Sequence, residues 1–283
     1  MPRYSGLSPS RWTLLICVAL CGCATWGKPY SRYARCQLRP NMPLPELVEY
    51  LNQNINRLGS WRATRARIAM RGPGGVPLSI SASLAIEAPR NFRLLASSLT
   101  GREVDLGSNP DQFWFWNRRD EQNKFVFTCR HDQLARAQQR FPIPFQPDWI
   151  MEALGVIPLN PGEFVLESGT KPHRARLIAQ RVSPQGQPVT KVVEVDTCHG
   201  LVLEHALFDA TGRLIARATL SGHYQDSASG VVLPGRVDLE WPTEQLSLAI
   251  HLGTIEVNPV GIPPGTWGVP AMPDYPIRDL GQP

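Results

Sequence analysis

Six cysteines and six histidines are the most chemically versatile residues of this 283-residue chain. A thiolate can bind a metal, attack a carbonyl, pair with a second cysteine or take an acyl group, and its neighbours decide which. Cys17, Cys21 and Cys23 crowd into one apolar run, TLLICVALCGCATWG, whereas Cys36, Cys129 and Cys198 are widely spaced. The sequence has no C-x-x-C pair and no histidine at metal-ligand spacing, which argues against a metal. The histidines, at 131, 173, 199, 205, 223 and 251, form no catalytic motif. His131 beside Asp132 and His205 beside Glu204 are adjacent pairs, and adjacent residues of a strand point to opposite faces, a poor basis for shared proton transfer. The sequence contains neither a Gly-x-Ser-x-Gly elbow nor a phosphate loop. The reading is a non-enzymatic chain with no cofactor, whose histidines are solvated or hydrogen-bonded at the surface. The chemistry left is that of the thiols.

Ahead of the cysteine-rich run, MPRYSGLSPSRW carries Arg3 and Arg11 and no acid, as in the positive start of a secretory signal. The apolar core from Trp12 to Leu20 is far shorter than the roughly 20 residues a membrane-spanning helix needs. Leu20-Cys21-Gly22-Cys23 resembles the bacterial lipobox, with Cys23 the acylated residue after a small Gly22. Cys21 does not fit, since Leu20 would then hold the small-residue position. Cleavage at an ordinary signal site, with Cys23 a plain thiol, is the alternative. The expectation is a signal peptide over 1–22 and a lipid anchor at Cys23, whose acyl chains contribute about 0.8 kcal/mol per buried CH₂.

Removing Arg3 and Arg11 lowers the net charge from +5 to +3, too weak and dispersed for a nucleic-acid footprint. Arg62, Arg65, Arg67 and Arg71 form the densest basic stretch and read as a solvated strand face, with contact to anionic lipid headgroups the lesser reading. Of the remaining cysteines, Cys129 and Cys198 both end strand-like runs, FVFTC and VVEVDTC, so they are the disulfide to test. Two buried free thiols are the other reading.

The elements that must position these residues follow from periodicity. Residues 23–43 contain three prolines and no apolar period, and read as a tether. LPELVEYLNQNINRLGSW repeats Leu47, Val48, Leu51, Ile55 and Leu58 at helical spacing. From Trp61 the period becomes two, most clearly in VPLSISASLAIE, and further alternating runs joined by turn signals continue to IEV. Such a meander must curl. RFPIPFQPDWIMEALGVIPL interrupts it with a short helix that aligns Trp149, Ile150, Ala153 and Leu154. The fold class is therefore mainly β: a curled antiparallel half-barrel of about 10–11 strands over 44–258, closed by an N-terminal helix and a short inserted helix. Residues 259–283 read as an extended or disordered proline-rich tail. Phe113 and Phe115 face one way and Trp114 and Trp116 the other, so one pair is core and the other open to several uses.

NFRLLASSLTGREVDLGSNPDQFWFW, PIPFQPDWIMEALGVIP and SGHYQDSASGVVLPGRVDLEW with QLSLAIHLGTIEVN resemble the LolB-type outer-membrane lipoprotein receptors and the wider lipoprotein-carrier superfamily. The resemblance implies an apolar cavity that receives acyl chains of lipids or lipoproteins, an envelope protein at the outer membrane facing the periplasm, and a periplasmic carrier as partner. Periodicity places Ile80, Leu84, Leu94, Ile150 and Leu154 on the inward faces as cavity residues. An exposed Leu after the third strand is functional in such receptors, and Leu99 in SSLTGRE matches it, although Ser98 and Thr100 stand where the family has Pro and Gly. The region 160–217 is longer than the family pattern, by about a hairpin. The alternative function is a structural or signalling envelope lipoprotein whose cavity is filled by its own side chains.

Overall fold

The computed structural model describes residues 28–29, 35–72, 78–137 and 147–282. The segment 1–22 and Cys23 lie outside the described residues. Strand β1 (Lys28–Pro29) precedes helix α1 (Leu44–Asn56). Pro45 is tolerated in the first turn because the N–H groups there have no helical partner. Leu47, Val48, Leu51 and Ile55 are buried, the stripe that the sequence predicts. Two amides of α1 fix it further: Asn52 exchanges 2.8 Å hydrogen bonds with the backbone of Leu159, and Asn54 does the same with Val232 at 2.7 and 2.9 Å.

Six strands follow as an antiparallel meander: β2 (Ser60–Arg71), β3 (Leu78–Glu87), β4 (Asn91–Ser98), β5 (Gly101–Ser108), β6 (Gln112–Asn117) and β7 (Val126–Arg130). Helices α2 (Leu134–Ala137) and α3 (Pro147–Ala153) lead to a second meander, β8 (Val165–Ser168), β9 (Arg174–Val182), β10 (Pro188–Asp196), β11 (Leu201–Asp209) and β12 (Leu214–Ser221). The chain then forms β13 (Tyr224–Gln225), β14 (Val232–Leu233), β15 (Arg236–Trp241), β16 (Leu246–His251), β17 (Ile255–Val257) and β18 (Ile277–Asp279). Among the described residues, fifteen strands make one sheet in the order β18-β7-β6-β5-β4-β3-β2-β16-β15-β12-β11-β10-β9-β8, with β17 added beside β2. The sheet curls without closing into a barrel. It holds more strands than the alternation indicates, because pieces as short as β8, β17 and β18 carry no readable period.

Alternation does the sorting the sequence predicts. Phe92, Leu94 and Ala96 of β4 are buried, while Arg65, Arg67 and Arg71 of β2 are exposed. The main core joins Leu84, Leu94, Phe113 and Phe115 to Leu207, Val237 and Ile250 from the other half of the sheet, with Trp149, Ile150 and Met151 of α3 between them. A second core packs α1 against Leu177, Val193 and Val195.

The disulfide differs from expectation. Cys198, at the β10–β11 turn, bonds to Cys36, and Cys129 is a free, buried thiol. Cys129 lies on β7 among the apolar side chains of the first meander, where burial pushes its pKa up to about 11. Cys198 ends a strand of the second meander, so ending a strand did not make the two neighbours. The same contact corrects the tether: Gln37 and Leu38 donate backbone hydrogen bonds to the Cys198 carbonyl at 2.8 and 3.2 Å, and Leu38 is buried. Farther upstream, β1 pairs with β13.

The proline-rich tail is also ordered. β18 pairs in parallel with β7, and Val269, Met272 and Tyr275 cover Trp114 and Trp116. Beneath the tail, the fully buried Asp105 accepts from Arg93 at 2.7 and 3.1 Å and from the Trp114 indole at 3.0 Å. Arg93 also donates to the Thr266 carbonyl at 2.9 Å, so one guanidinium ties sheet to tail. Gly107 makes room for this arrangement, since a Cβ there would lie 2.1 Å from the Trp114 ring.

Peptide mapping under non-reducing conditions should recover Cys36 linked to Cys198 and Cys129 free; a Cys129–Cys198 peptide would refute the pairing. Because the bond spans 162 residues of sequence, Cys198→Ser should lower unfolding stability in urea by about 2–4 kcal/mol.

Candidate functional site

Helix α3 lies where the two halves of the sheet face each other. Pro147 starts it, Trp149, Ile150, Met151 and Ala153 are buried, and Gly155 stops it with a left-handed φ of 77°. Trp149 meets Trp241 of β15 edge to face, with ring centroids 6.2 Å apart. The predicted cavity residues Leu84, Leu94, Ile150 and Leu154 belong to the main core, and the half-buried Ile80 packs against it. They come together as anticipated, but chiefly as filling. Leu154 is the one of the five found in the wall of a described cavity.

Two cavities flank the helix. The larger, about 740 Å³, is lined by Trp149, Leu134, Val182, Val189, Leu207 and Ile215, with Arg90, Asp148, Arg181 and Arg213 among its charged residues. It lies toward the β9–β10 and β11–β12 turns. The smaller, about 340 Å³, lies between α1, Leu154 and the β10–β11 turn, at the other end of the same strands. Glu152 borders both.

That carboxylate belongs to a charge cluster set into the inner face. Glu152 accepts from Lys191 Nζ at 2.5 Å and from Arg181 at 2.8 Å, and Arg181 also reaches Glu163 at 2.7 Å. Lys191 is 1% exposed, and its pKa is lowered because burial outweighs the attraction of Glu152. Arg181, in hydrogen-bond contact, holds the Glu163 carboxyl below its usual range. His205, on β11, is 3% exposed. Burial first, then the nearby Lys191 and Arg181 charges, push its pKa down to about 3, so it is neutral at ordinary pH. The surface reading of the histidines fails here.

These groups left a faint trace in the sequence. Lys191 shares strand parity with Val189, Val193 and Val195, all of them buried, so a cation in that series signals a buried partner. Asp196, Cys198 and His199 also converge, but Cys198 is committed to its disulfide and offers no thiolate to a metal. Leu99 lies between β4 and β5 at a hairpin tip and is fully exposed. Ser98 Oγ accepts from the Thr100 backbone N–H at 3.1 Å and donates to Glu103, so side chains hold the turn that Pro and Gly shape in the resembled family. Among the described residues, no helix is long and apolar enough to cross a membrane.

No family model and no curated protein sequence matches the chain. Solved structures do. A DUF1329 family protein from Desulfovibrio piger aligns with a TM-score of 0.52 at 13% identity, over 80% of this chain and 95% of that one. A domain described as an outer-membrane lipoprotein-sorting protein from Vibrio parahaemolyticus aligns at 0.53 and 10% identity, over 80% and 97%. A LolA superfamily protein from Nitrosomonas europaea aligns at 0.50 and 10% identity, over 80% and 98%. The chain has the LolA/LolB-like fold. At these identities the likeness extends to the curled sheet and its helices, and the chemistry of any LolA/LolB-like site here rests on this chain's own residues.

Because His205 titrates at about 3 when folded and at 6.5 when free, the unfolded chain binds the extra proton between those values, and stability falls as pH drops through that window. The slope from this residue should approach about 1.4 kcal/mol per pH unit. Urea unfolding from pH 7 to 4 should show it, and His205→Phe should flatten it.

Proposed function

We propose that this chain is a non-enzymatic lipoprotein of the bacterial envelope, acylated at Cys23, which shelters an acyl chain of a lipid or lipoprotein. The observation that carries the reading is the cavity of about 740 Å³ at one end of α3, walled by Trp149, Leu134, Val189, Leu207 and Ile215 within a carrier-type fold. Its volume falls within the range of about 300–1,000 Å³ in which small-molecule ligands are held. The apolar part of its wall shelters hydrocarbon at about 25 cal/mol per Å² buried, and the charged residues stand beside it. A location at the outer membrane, facing the periplasm, is in line with the lipobox-like Cys23 and with the name of the Vibrio neighbour, an outer membrane lipoprotein-sorting protein domain. A periplasmic carrier is the partner this role calls for.

Leu99 supplies the contact with the membrane or with a client's acyl chains. Projecting fully from a hairpin tip, it gains nothing from the core, and its loop is braced from behind by Arg118, which donates to the Thr100 carbonyl at 2.9 Å. The second reading, a structural or signalling lipoprotein, is favoured by one observation: Leu84, Leu94 and Ile150 fill the space between the sheet halves with the chain's own side chains.

Mass spectrometry of lipids carried by the gently purified protein separates the two, since a self-filled interior brings none. Val182 lines the larger cavity while largely exposed, so Val182→Asp should reduce acyl-chain binding several-fold at an unchanged Tm. Leu99→Glu should likewise leave Tm unchanged while slowing transfer of a fluorescent lipid into vesicles; wild-type transfer would return Leu99 to the ordinary surface. Intact-mass measurement should show diacylglycerol lost in Cys23→Ala.

A further inference from the structure

We infer that the outer face of β2 is a membrane-contact surface, on which Arg65, Arg67 and Arg71 bind the anionic headgroups of a phospholipid bilayer. Ala66 and Ile68 of this strand belong to the main core, and the three arginines are exposed. Arg67 and Arg71 are four residues apart, about 13 Å along a strand, so the cations form a line rather than a pocket.

The neighbouring arginines of the sheet have acids of their own. Arg62 pairs with Glu256, Arg236 forks onto Asp238 at 2.7 and 2.8 Å, and Arg217 lies 3.3 Å from Glu204 and 3.9 Å from Glu240. Among the described residues, Arg65, Arg67 and Arg71 have no such partner, and no Asp or Glu of the chain lies outside those residues. The register shows why. Arg67 stands between Ser81 of β3 and His251 of β16, and Arg71 stands beside Ser247. An arginine kept for sheet stability gains from an acid at the facing position, and here the facing positions hold serine or histidine. Glu240 shares the row of Arg71 but is two strands away, about 10 Å, with Arg217 nearer to it.

Shape selects a bilayer over a protein. Ser79, Ser81 and Ser97 are exposed, and Ala69, Ser247 and Ala249 pair into the same face, so the arginines stand above short side chains and meet a flat surface first. A protein interface centres on a large apolar or aromatic anchor, and β2 with its neighbours β3 and β16 presents none on this side among the described residues. The hairpin that carries Leu99 flanks the end of β2 where Arg71 stands, so an apolar tip and a cationic line are offered together. The arginines lie outside the sheet and the acyl cavity within it, so the two readings stand or fall separately.

The test is co-sedimentation of the full chain carrying Cys23→Ala, so that no acyl anchor contributes, with vesicles of phosphatidylcholine alone or mixed three to one with phosphatidylglycerol. Each cation near an anionic surface strengthens binding about fivefold. The mixed vesicles should therefore bind at least tenfold more tightly. Raising the salt from about 0.1 M to about 1 M, which shortens the screening length from about 10 Å to about 3 Å, should remove the difference. Arg65→Gln, Arg67→Gln and Arg71→Gln combined should weaken binding to mixed vesicles at least tenfold at an unchanged Tm, and Lys at the same three positions should retain it. Leu99 enters neutral and anionic bilayers alike, so the difference between the vesicle types belongs to the arginines. Equal affinity for the two vesicle types, an unmoved affinity in the combined Gln variant, or binding to polyglutamate as tight as to mixed vesicles would overturn the assignment. If the combined variant does not fold, Arg67→Gln and Arg71→Gln singly should each weaken binding to mixed vesicles several-fold, and unmoved affinity in both overturns it.

Discussion

The pairing of β2 with β16 holds the molecule together. It joins Arg67 to His251 and Arg71 to Ser247, residues about 180 positions apart in sequence, and it is the seam between two meanders that would otherwise be separate curled sheets. Each meander alone has an apolar inner face and nothing to bury it against. Once joined, the halves face one another, α3 fills the gap, and one core runs across the seam from Leu84 to Ile250. Loop-closure entropy must be spent before these contacts form, so a fold with its decisive pairing this distant belongs among slow folders.

What could be read from the sequence was what depends on facing. Alternation in LSISASLAIE and the helical stripe of α1 report which side of an element is apolar, and both elements bury that side. The Phe and Trp pairs of β6 separate onto two faces for the same reason. Facing does not report what lies opposite. Leu84, Leu94 and Ile150 read as cavity walls and are core filling, because periodicity is blind to the volume of the neighbours. The cysteine pairing was hidden because it depends on which turn the N-terminal segment crosses, and a stretch without apolar period gives no clue to that. The tail lay beyond reach for a related reason: its order comes from Arg93, Asp105 and two tryptophans far upstream, not from any pattern of its own.

Glu152 borders both cavities and is held there by Lys191 and Arg181. Breaking one partner away from a buried charge leaves the other stranded, at a cost of about 3–5 kcal/mol, so these groups tie α3 to β9 and β10 in one position. A plain apolar contact would let the helix slide. The fold is shared with distant neighbours; in this chain the polar cluster stands between two cavities, the larger with an apolar wall and the smaller with three histidines in its lining.

Strand β18 has a consequence in time. It caps the outer edge of β7, yet β7 begins at Val126 and β18 only at Ile277, so a chain emerging N-terminus first displays an open row of amides and carbonyls for roughly 150 residues of elongation. An unpaired edge of that kind recruits strands from other molecules. The segment with the look of a loose trailing end is thus what covers that edge, and it is among the last parts of the chain to arrive.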